Sequence, residues 1–300
     1  MQSVNQQISF RFEGVTLFIK REDLIDPFVS GNKFRKLKYN ILQAKALGYK
    51  TLLTFGGAFS NNIAAVAAAG KQHGFKTIGV IRGEEISVKI AENPTLKFAA
   101  DYGMAFEFIS RKDYKNKNEP LFLETLQMKF GNFYLLPEGG TNELAVKGCT
   151  EILTTEDRHF DFICCAVGTG GTIAGLINSA LPHQKVLGFP ALKGDFIKEE
   201  ICKFATGGHW DLITDYHFGG YGKINAALVD FINDFYQQTK IPLDPIYTGK
   251  MIFGVIDMIR NSYFPENATI LAIHSGGIQG ISGMNKLLKS KNLPLIKTND

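Results

Sequence analysis

From residue 51 to residue 136 the chain alternates between two hydrophobic periods. Thr51 to Thr54, Lys76 to Ile81, Ala105 to Ile109 and Asn132 to Leu136 are short apolar runs of strand length. Ile63 to Ala69, Pro94 to Tyr102 and Leu121 to Met128 fall between them with helical spacing, and Arg111 to Glu119 is a charged loop. Strands joined through helices cannot close as hairpins. They pair in parallel, with the helices covering the sheet. The same alternation returns later. Asp161 to Val167, Lys185 to Phe189 and Thr269 to Ile273 read as strands. Leu144 to Leu153, Ile173 to Ser179, Asn225 to Gln238 and Gly249 to Ile259 read as helices, with a last helix after Gly276-Gly277. Ile8 to Arg11 and Val15 to Ile19, around Glu13-Gly14, predict an N-terminal hairpin, and the polar tail from Lys291 is expected to fray. The expected fold is therefore α/β, with two lobes of parallel twisted sheet covered by helices. Residues 47–148 form a small α/β unit inserted into a larger one built from 1–46 and 149–300.

Before the first strand of the inserted unit lies Ser30-Gly31-Asn32-Lys33-Phe34-Arg35-Lys36-Leu37. It opens a helix that ends near Gly48. Phe34, Leu37, Ile41 and Ala44 mark the buried face, with Lys33 beside it and with Arg35 and Tyr39 pointing away. Lys33 has two readings. It belongs to a solvated basic face with Lys36 and Lys38, or it is a desolvated amine at a helix start, with a lowered pKa suited to a nucleophile or base.

Three glycine turns sit at strand-to-helix junctions, where backbone N–H groups and a helix dipole make an anion site. They are Gly56 to Asn62, Gly168 to Thr172, and Gly276 to Gly280. Gly168-Thr169-Gly170-Gly171-Thr172 is the best phosphate cradle, against the alternative of a tight turn. It is not a dinucleotide fingerprint, because position 173 is Ile173. Ser60-Asn61-Asn62 exceeds what a helix cap needs and reads as a cap or a ligand site. Tyr221, between glycines, and Tyr247, after Asp244-Pro245, fit packing or catalysis. His274-Ser275 ends a strand, where ligand sites gather in α/β folds.

Composition narrows the class. Among 300 residues, 45% are hydrophobic and 21% charged, with a net charge of +4 whose lysines and arginines are scattered. Neither a nucleic-acid surface nor a membrane span is expected. The four cysteines form no CxxC pair, so a reducing cytoplasm is expected. Histidine spacing shows no metal motif, and no GxSxG elbow occurs.

Taken together, a helix-start lysine, a polar cap, a glycine cradle and a hydroxyl at a strand end fit pyridoxal phosphate. The chain resembles the 1-aminocyclopropane-1-carboxylate deaminase and D-cysteine desulfhydrase family, of the tryptophan synthase β-like fold type II. The resemblance spans nearly the whole chain. It rests on Lys20-Arg21-Glu22-Asp23, Gly31 to Leu37, Gly56 to Asn61, Pro137-Glu138-Gly139-Gly140, Gly168 to Thr172 and Asp244 to Lys250, in the family's order.

The resemblance implies roles. Lys33 carries the cofactor and moves the proton, and Asn61 meets the ring hydroxyl. Ser60, Asn61 and Asn62 take the substrate carboxylate. Gly168, Thr169, Gly170, Gly171 and Thr172 hold the phosphate. Tyr221 and Tyr247 are the active-site tyrosines, and Ser275 is the pyridine-nitrogen partner. Position 248 separates the branches. It is Thr248 here, as in desulfhydrases, where deaminases have a glutamate. Ala58-Phe59 also departs from the aliphatic residue and Gln of better-known members. The implied activity is a lyase acting on a small amino acid, D-cysteine above all, giving pyruvate, ammonia and sulfide. Deamination of 1-aminocyclopropane-1-carboxylate is the alternative, with racemase or dehydratase chemistry behind it. A binding protein that kept the fold without turnover, and a nucleotide-binding enzyme, are the readings from other classes. A homodimer is what the family implies.

Overall fold

The computed structural model describes residues 3–10, 14–194 and 196–298. In chain order the elements are β1 (Asn5–Gln7), β2 (Val15–Lys20), α1 (Asn32–Ala46), β3 (Thr51–Gly56), α2 (Asn61–His73), β4 (Lys76–Arg82), α3 (Pro94–Asp101) and β5 (Met104–Ile109). There follow α4 (Pro120–Phe130), β6 (Tyr134–Leu136), α5 (Glu143–Cys149), β7 (Phe162–Val167), α6 (Gly171–Ser179) and β8 (Lys185–Pro190). The chain closes with α7 (Phe196–Cys202), β9 (Trp210–Leu212), α8 (Ala226–Thr239), α9 (Thr248–Arg260), β10 (Ala268–Ile273) and α10 (Ile281–Ser290).

Two sheets result. One has six strands in the order β1-β2-β10-β7-β8-β9, parallel except for β1. The other has four parallel strands in the order β5-β4-β3-β6. The α/β class with parallel sheets is as the alternation requires.

Strand periodicity explains why both faces of the larger sheet are apolar. Cys164 and Ala166 of β7 and Ile270 and Ala272 of β10 pack on one side with α8 and α9. Their neighbours Ile163, Cys165, Val167, Leu271 and Ile273 pack on the other, with α6 and α7. In the smaller sheet Leu52 faces α1, α2 and α3, while Leu53 and Phe55 face Leu126 of α4. Helix α2 is buried from Asn62 to Gly70, which its alanine content permits: small side chains let it sit close to the strands. Side-chain caps start four of the helices. Ser60, Asn93, Asn142 and Asn225 each accept the N–H three residues on.

Several expectations need correction. The first strand is Asn5–Gln7, not Ile8 to Arg11, and Arg11 and Glu13 lie outside the described residues. The helix expected to run to Leu153 ends at Cys149 and tightens into a 3-10 turn over Thr150–Ile152. Helix α7 and strand β9 carry no strong hydrophobic period and are not among the expected elements. The tail does not fray through residue 298. Ile296 is buried and exchanges hydrogen bonds with Asn285, while Asn233 bonds the backbone of Leu295 and Lys297.

Candidate active site

The C-terminal ends of β3, β7 and β10 converge on one cleft, the position where parallel sheets gather ligands. Each supplies a loop. Ser60 follows β3, Gly168 follows β7 and Ser275 follows β10. The start of α1 closes the fourth side with Asn32 and Lys33.

Gly31 locks that corner. Its φ is +61°, and a Cβ there would overlap the Ser275 carbonyl, so only glycine allows the approach. The Ser275 carbonyl accepts the Asn32 N–H at 3.1 Å. The lysine-bearing helix and the end of β10 are thus joined through backbone.

Lys33 Nζ donates to the Gly139 carbonyl at 3.3 Å. Lys36, one turn on, donates to the same carbonyl and to Thr141 Oγ1, both at 3.0 Å. Burial pushes the Lys33 amine well below its usual value, and the neighbouring Lys36 charge pushes it further. Lys36 is lowered by burial too. Beside them the Cys149 thiol is pushed up to about 11 by burial, so it does not compensate either amine at neutral pH. Among the described residues that line the cleft there is no carboxylate.

The glycine loop faces this pair. Gly168, Thr169, Gly170 and Thr172 line the cleft, and Gly171 opens α6 just behind. A Cβ on Gly171 would stand 2.8 Å from Thr141, so the loop can lie against Thr141 only without a side chain. Thr169 Oγ1 meets Thr141 Oγ1 at 2.6 Å, and Asn32 Nδ2 donates to Thr172 Oγ1 at 2.8 Å. N–H groups at the start of α6, hydroxyls and two lysines therefore ring one point, which suits an anion.

The loop after β3 supplies amides. Ser60 caps α2, and Asn61 Oδ1 accepts from Gln279 Nε2 at 3.1 Å. Asn62 Nδ2 donates to Thr54 Oγ1 at 2.8 Å, while its buried Oδ1 has no partner. An orphaned buried amide oxygen beside the cleft is costly unless a ligand completes it.

Tyr247 and Tyr221 form the remaining wall, their rings edge to face at 6.1 Å. Burial raises both phenols, Tyr247 well above its usual range. Tyr221 is 44% exposed and marks the mouth. Its loop is pinned from below, for Lys250 Nζ donates to the His217 and Gly220 carbonyls, both at 2.9 Å.

All but two of the residues expected at the site therefore line one cleft: Lys33, Ser60, Asn61, Asn62, Gly168, Thr169, Gly170, Thr172, Tyr221, Tyr247 and Ser275. Gly171 lies directly behind. Thr248 does not reach it. It is fully buried behind Tyr247, and its Oγ1 accepts the Asp244 N–H at 2.9 Å. His274 is also turned away, bonding the Pro242 carbonyl through Nε2 at 2.6 Å. Arg35 does not point to solvent. Its guanidinium is buried in a two-pronged pair with Glu22 at 2.9 Å. Lys36, Asn32 and Thr141 belong to the site although sequence reasoning does not single them out. For Lys36 a signal exists, since three residues after Lys33 is the same helix face.

Comparison with known proteins agrees with this geometry. The sequence model of the family described as pyridoxal-phosphate-dependent enzyme matches residues 6–276. The chain belongs to that family. Among its relatives, a Thermotoga maritima protein provisionally named a 1-aminocyclopropane-1-carboxylate deaminase is 30% identical, over 92% of this chain and 93% of its own. The Arabidopsis thaliana mitochondrial bifunctional D-cysteine desulfhydrase/1-aminocyclopropane-1-carboxylate deaminase is 27% identical, over 89% and 74%. The crystal structure of a homologue of 1-aminocyclopropane-1-carboxylate deaminase superposes with a TM-score of 0.83 at 26% identity, covering 97% of this chain and 94% of that one. The protein is thus a pyridoxal-phosphate enzyme of the tryptophan synthase β-like fold. The cleft fits the cofactor: a desolvated amine, a glycine cradle for a phosphate and an orphaned amide oxygen occur together.

Proposed function

We propose that the enzyme is a lyase acting on a small amino acid, by β-elimination from D-cysteine or a related β-substituted D-amino acid. The observation that carries this reading is the absence of any carboxylate among the described cleft residues, with a desolvated lysine at the centre. Lys33 would hold the cofactor covalently. The loop from Gly168 to Thr172, with Lys36 and Thr141, would hold its phosphate. Asn61 would meet the ring hydroxyl. Ser275 would meet the ring nitrogen, because Thr248 lies behind the wall. When bound, the cofactor supplies an electron sink for the charge left at the substrate α-carbon.

The chain's own residues do the rest. The Ser60–Asn62 turn orients the substrate carboxylate. The Lys33 amine, its pKa lowered by burial and by the neighbouring Lys36, takes the α-proton at Nζ. Tyr247, kept protonated by burial, donates through its hydroxyl to the leaving group or orients it. Sulfide leaves the β-carbon, and addition of water releases pyruvate and ammonia. A neutral hydroxyl at the ring nitrogen makes a weaker sink than a charged partner, adequate for expelling a thiol. We further propose that residues 47–148 move as one lobe against the rest, because the cleft lies between loops from the two sheets.

The test is to incubate the holoenzyme with D-cysteine and with 1-aminocyclopropane-1-carboxylate, following pyruvate, sulfide, 2-oxobutyrate and ammonia. Pyruvate with equimolar sulfide supports the reading. 2-Oxobutyrate from the cyclopropane would establish deamination instead, the reading favoured by the names that relatives carry.

A further inference from the structure

One strong charge at the mouth of the cleft is left over by these roles. Arg82 ends β4, and β4 pairs in parallel with β3, whose following turn carries Ser60. The Arg82 guanidinium stands against that turn. A Cβ on Gly57 would lie 3.6 Å from its Nη2, and Gly57 O accepts the Ser60 N–H at 3.1 Å. The guanidinium carbon sits 5.6 Å from the centre of the Tyr114 ring. Its charge opposes the rise that burial imposes on the Tyr221 phenol, to which Asp244 and Glu138 add.

Two neighbouring carboxylates are already engaged. Glu138 accepts from Tyr114 Oη at 2.8 Å and pairs with Lys117 at 3.3 Å. Glu85 pairs with Arg111. Arg82 has no carboxylate within ion-pair distance among the described residues. An exposed guanidinium beside an aromatic ring, with no ion-pair partner among the described residues, matches a planar carboxylate in two-pronged geometry.

A substrate whose α-carbon is at Lys33 and whose carboxylate is at Ser60 to Asn62 must run its side chain out past Tyr247 and Tyr221. Arg82 does not itself line the cleft, but it stands against the turn that carries Ser60. We infer that Arg82 selects amino acids whose side chain ends in an anionic group, a carboxylate above all, over neutral side chains of the same shape. The inference rests on the amino-acid-lyase reading for the placement of the α-carbon, and it names the substrate class that this reading leaves open.

The experiment uses pairs of ligands that differ only in charge. The holoenzyme is titrated with D-glutamate against D-glutamine, and with D-aspartate against D-asparagine, following the visible absorption of the cofactor and, in parallel, calorimetric heat. At low ionic strength at least one acid should bind about five- to tenfold tighter than its amide, on the order expected for a partly exposed charge pair. Raising the salt should shrink the ratio. Arg82→Gln should bring the ratio to about one with amide affinity unchanged, and Arg82→Lys should restore part of it. Equal affinities in the wild type, a preference that survives Arg82→Gln, or no saturable binding of either acid would each overturn the inference. These readouts need no turnover. A protein that binds acids in this way yet forms no pyruvate from D-cysteine or from any β-substituted D-amino acid, anionic ones included, would refute the lyase reading and leave the role of Arg82 standing.

Discussion

The first 36 residues supply charges to two very different places. Beneath the cleft, Lys20 pairs with Asp157 at 2.8 Å, Arg21 with Asp23 at 2.7 Å and Arg35 with Glu22 at 2.9 Å, all buried. In the cleft, Lys33 and Lys36 face a carbonyl and a hydroxyl and have no carboxylate. The same residue types, a few positions apart, have opposite consequences. A buried cation paired with a buried anion serves as scaffold. A buried cation without one sheds its proton early and becomes a base. Chemistry in this protein is marked by the missing partner rather than by the charge.

That contrast can be attacked from both sides. The largest effect should come from Lys33→Ala. Turnover should fall by at least about a thousandfold, as for removal of a positioned general base. The visible band of the lysine-bound cofactor should vanish, and an unchanged band would refute the assignment. On the scaffold side, Glu22→Gln leaves Arg35 buried with only the 3.9 Å contact to Glu151, and should cost about 3 kcal/mol in denaturant unfolding. The double substitution Glu22→Leu with Arg35→Met should recover much of that loss. If the double variant is no more stable than the single one, the pair is more than a neutral scaffold.

Lys250 tests the boundary between the two classes, being a buried lysine bonded to carbonyls. Burial pulls it down to about 8, against the opposing effect of Asp244. Its folded pKa is below its unfolded value of 10.5. Between these values the unfolded chain holds more protons, so stability should rise with pH from about 8 to 10.5 and level off above. Lys250→Met should remove that rise, which is at most about 1.4 kcal/mol per pH unit. Because Lys250 pins the Tyr221 loop, the same variant should raise KM several-fold at unchanged cofactor absorption. The smallest effect belongs to an exposed pair. Lys38→Ala, which loses a contact to Glu151 on the surface, should shift stability by no more than about 0.5 kcal/mol.

Much of this is legible in the amino-acid sequence alone. The βα alternation determines the fold class because hydrophobic period depends on neighbours in sequence. Lys33, the glycine loop and the tyrosines are legible because each sits at an element boundary, where glycine, caps and prolines punctuate the chain. Arg35 is not. A helical wheel places it outward, and Glu22, brought over from the 3-10 turn Glu22–Leu24, draws it in, with Glu151 as a second partner at 3.9 Å. Thr248 fails for the related reason that adjacency to Tyr247 does not say which of two neighbours faces the cleft. Helix α7 and strand β9 escape because both are short and half-polar, so their order comes from packing on α6 and β8 rather than from their own pattern.

The contact of Gly31 with Ser275 sets a fixed gauge across the cleft. The span between the amine of Lys33 and the hydroxyl of Ser275 is measured out by main chain touching main chain, so side-chain change elsewhere leaves it alone. Anything built to that gauge keeps the reacting end of the site constant while the far wall, with Tyr221, is free to drift. Diversification in a protein of this design should therefore be one-sided. New substrates would come from recutting one jaw of a vice whose other jaw stays bolted down.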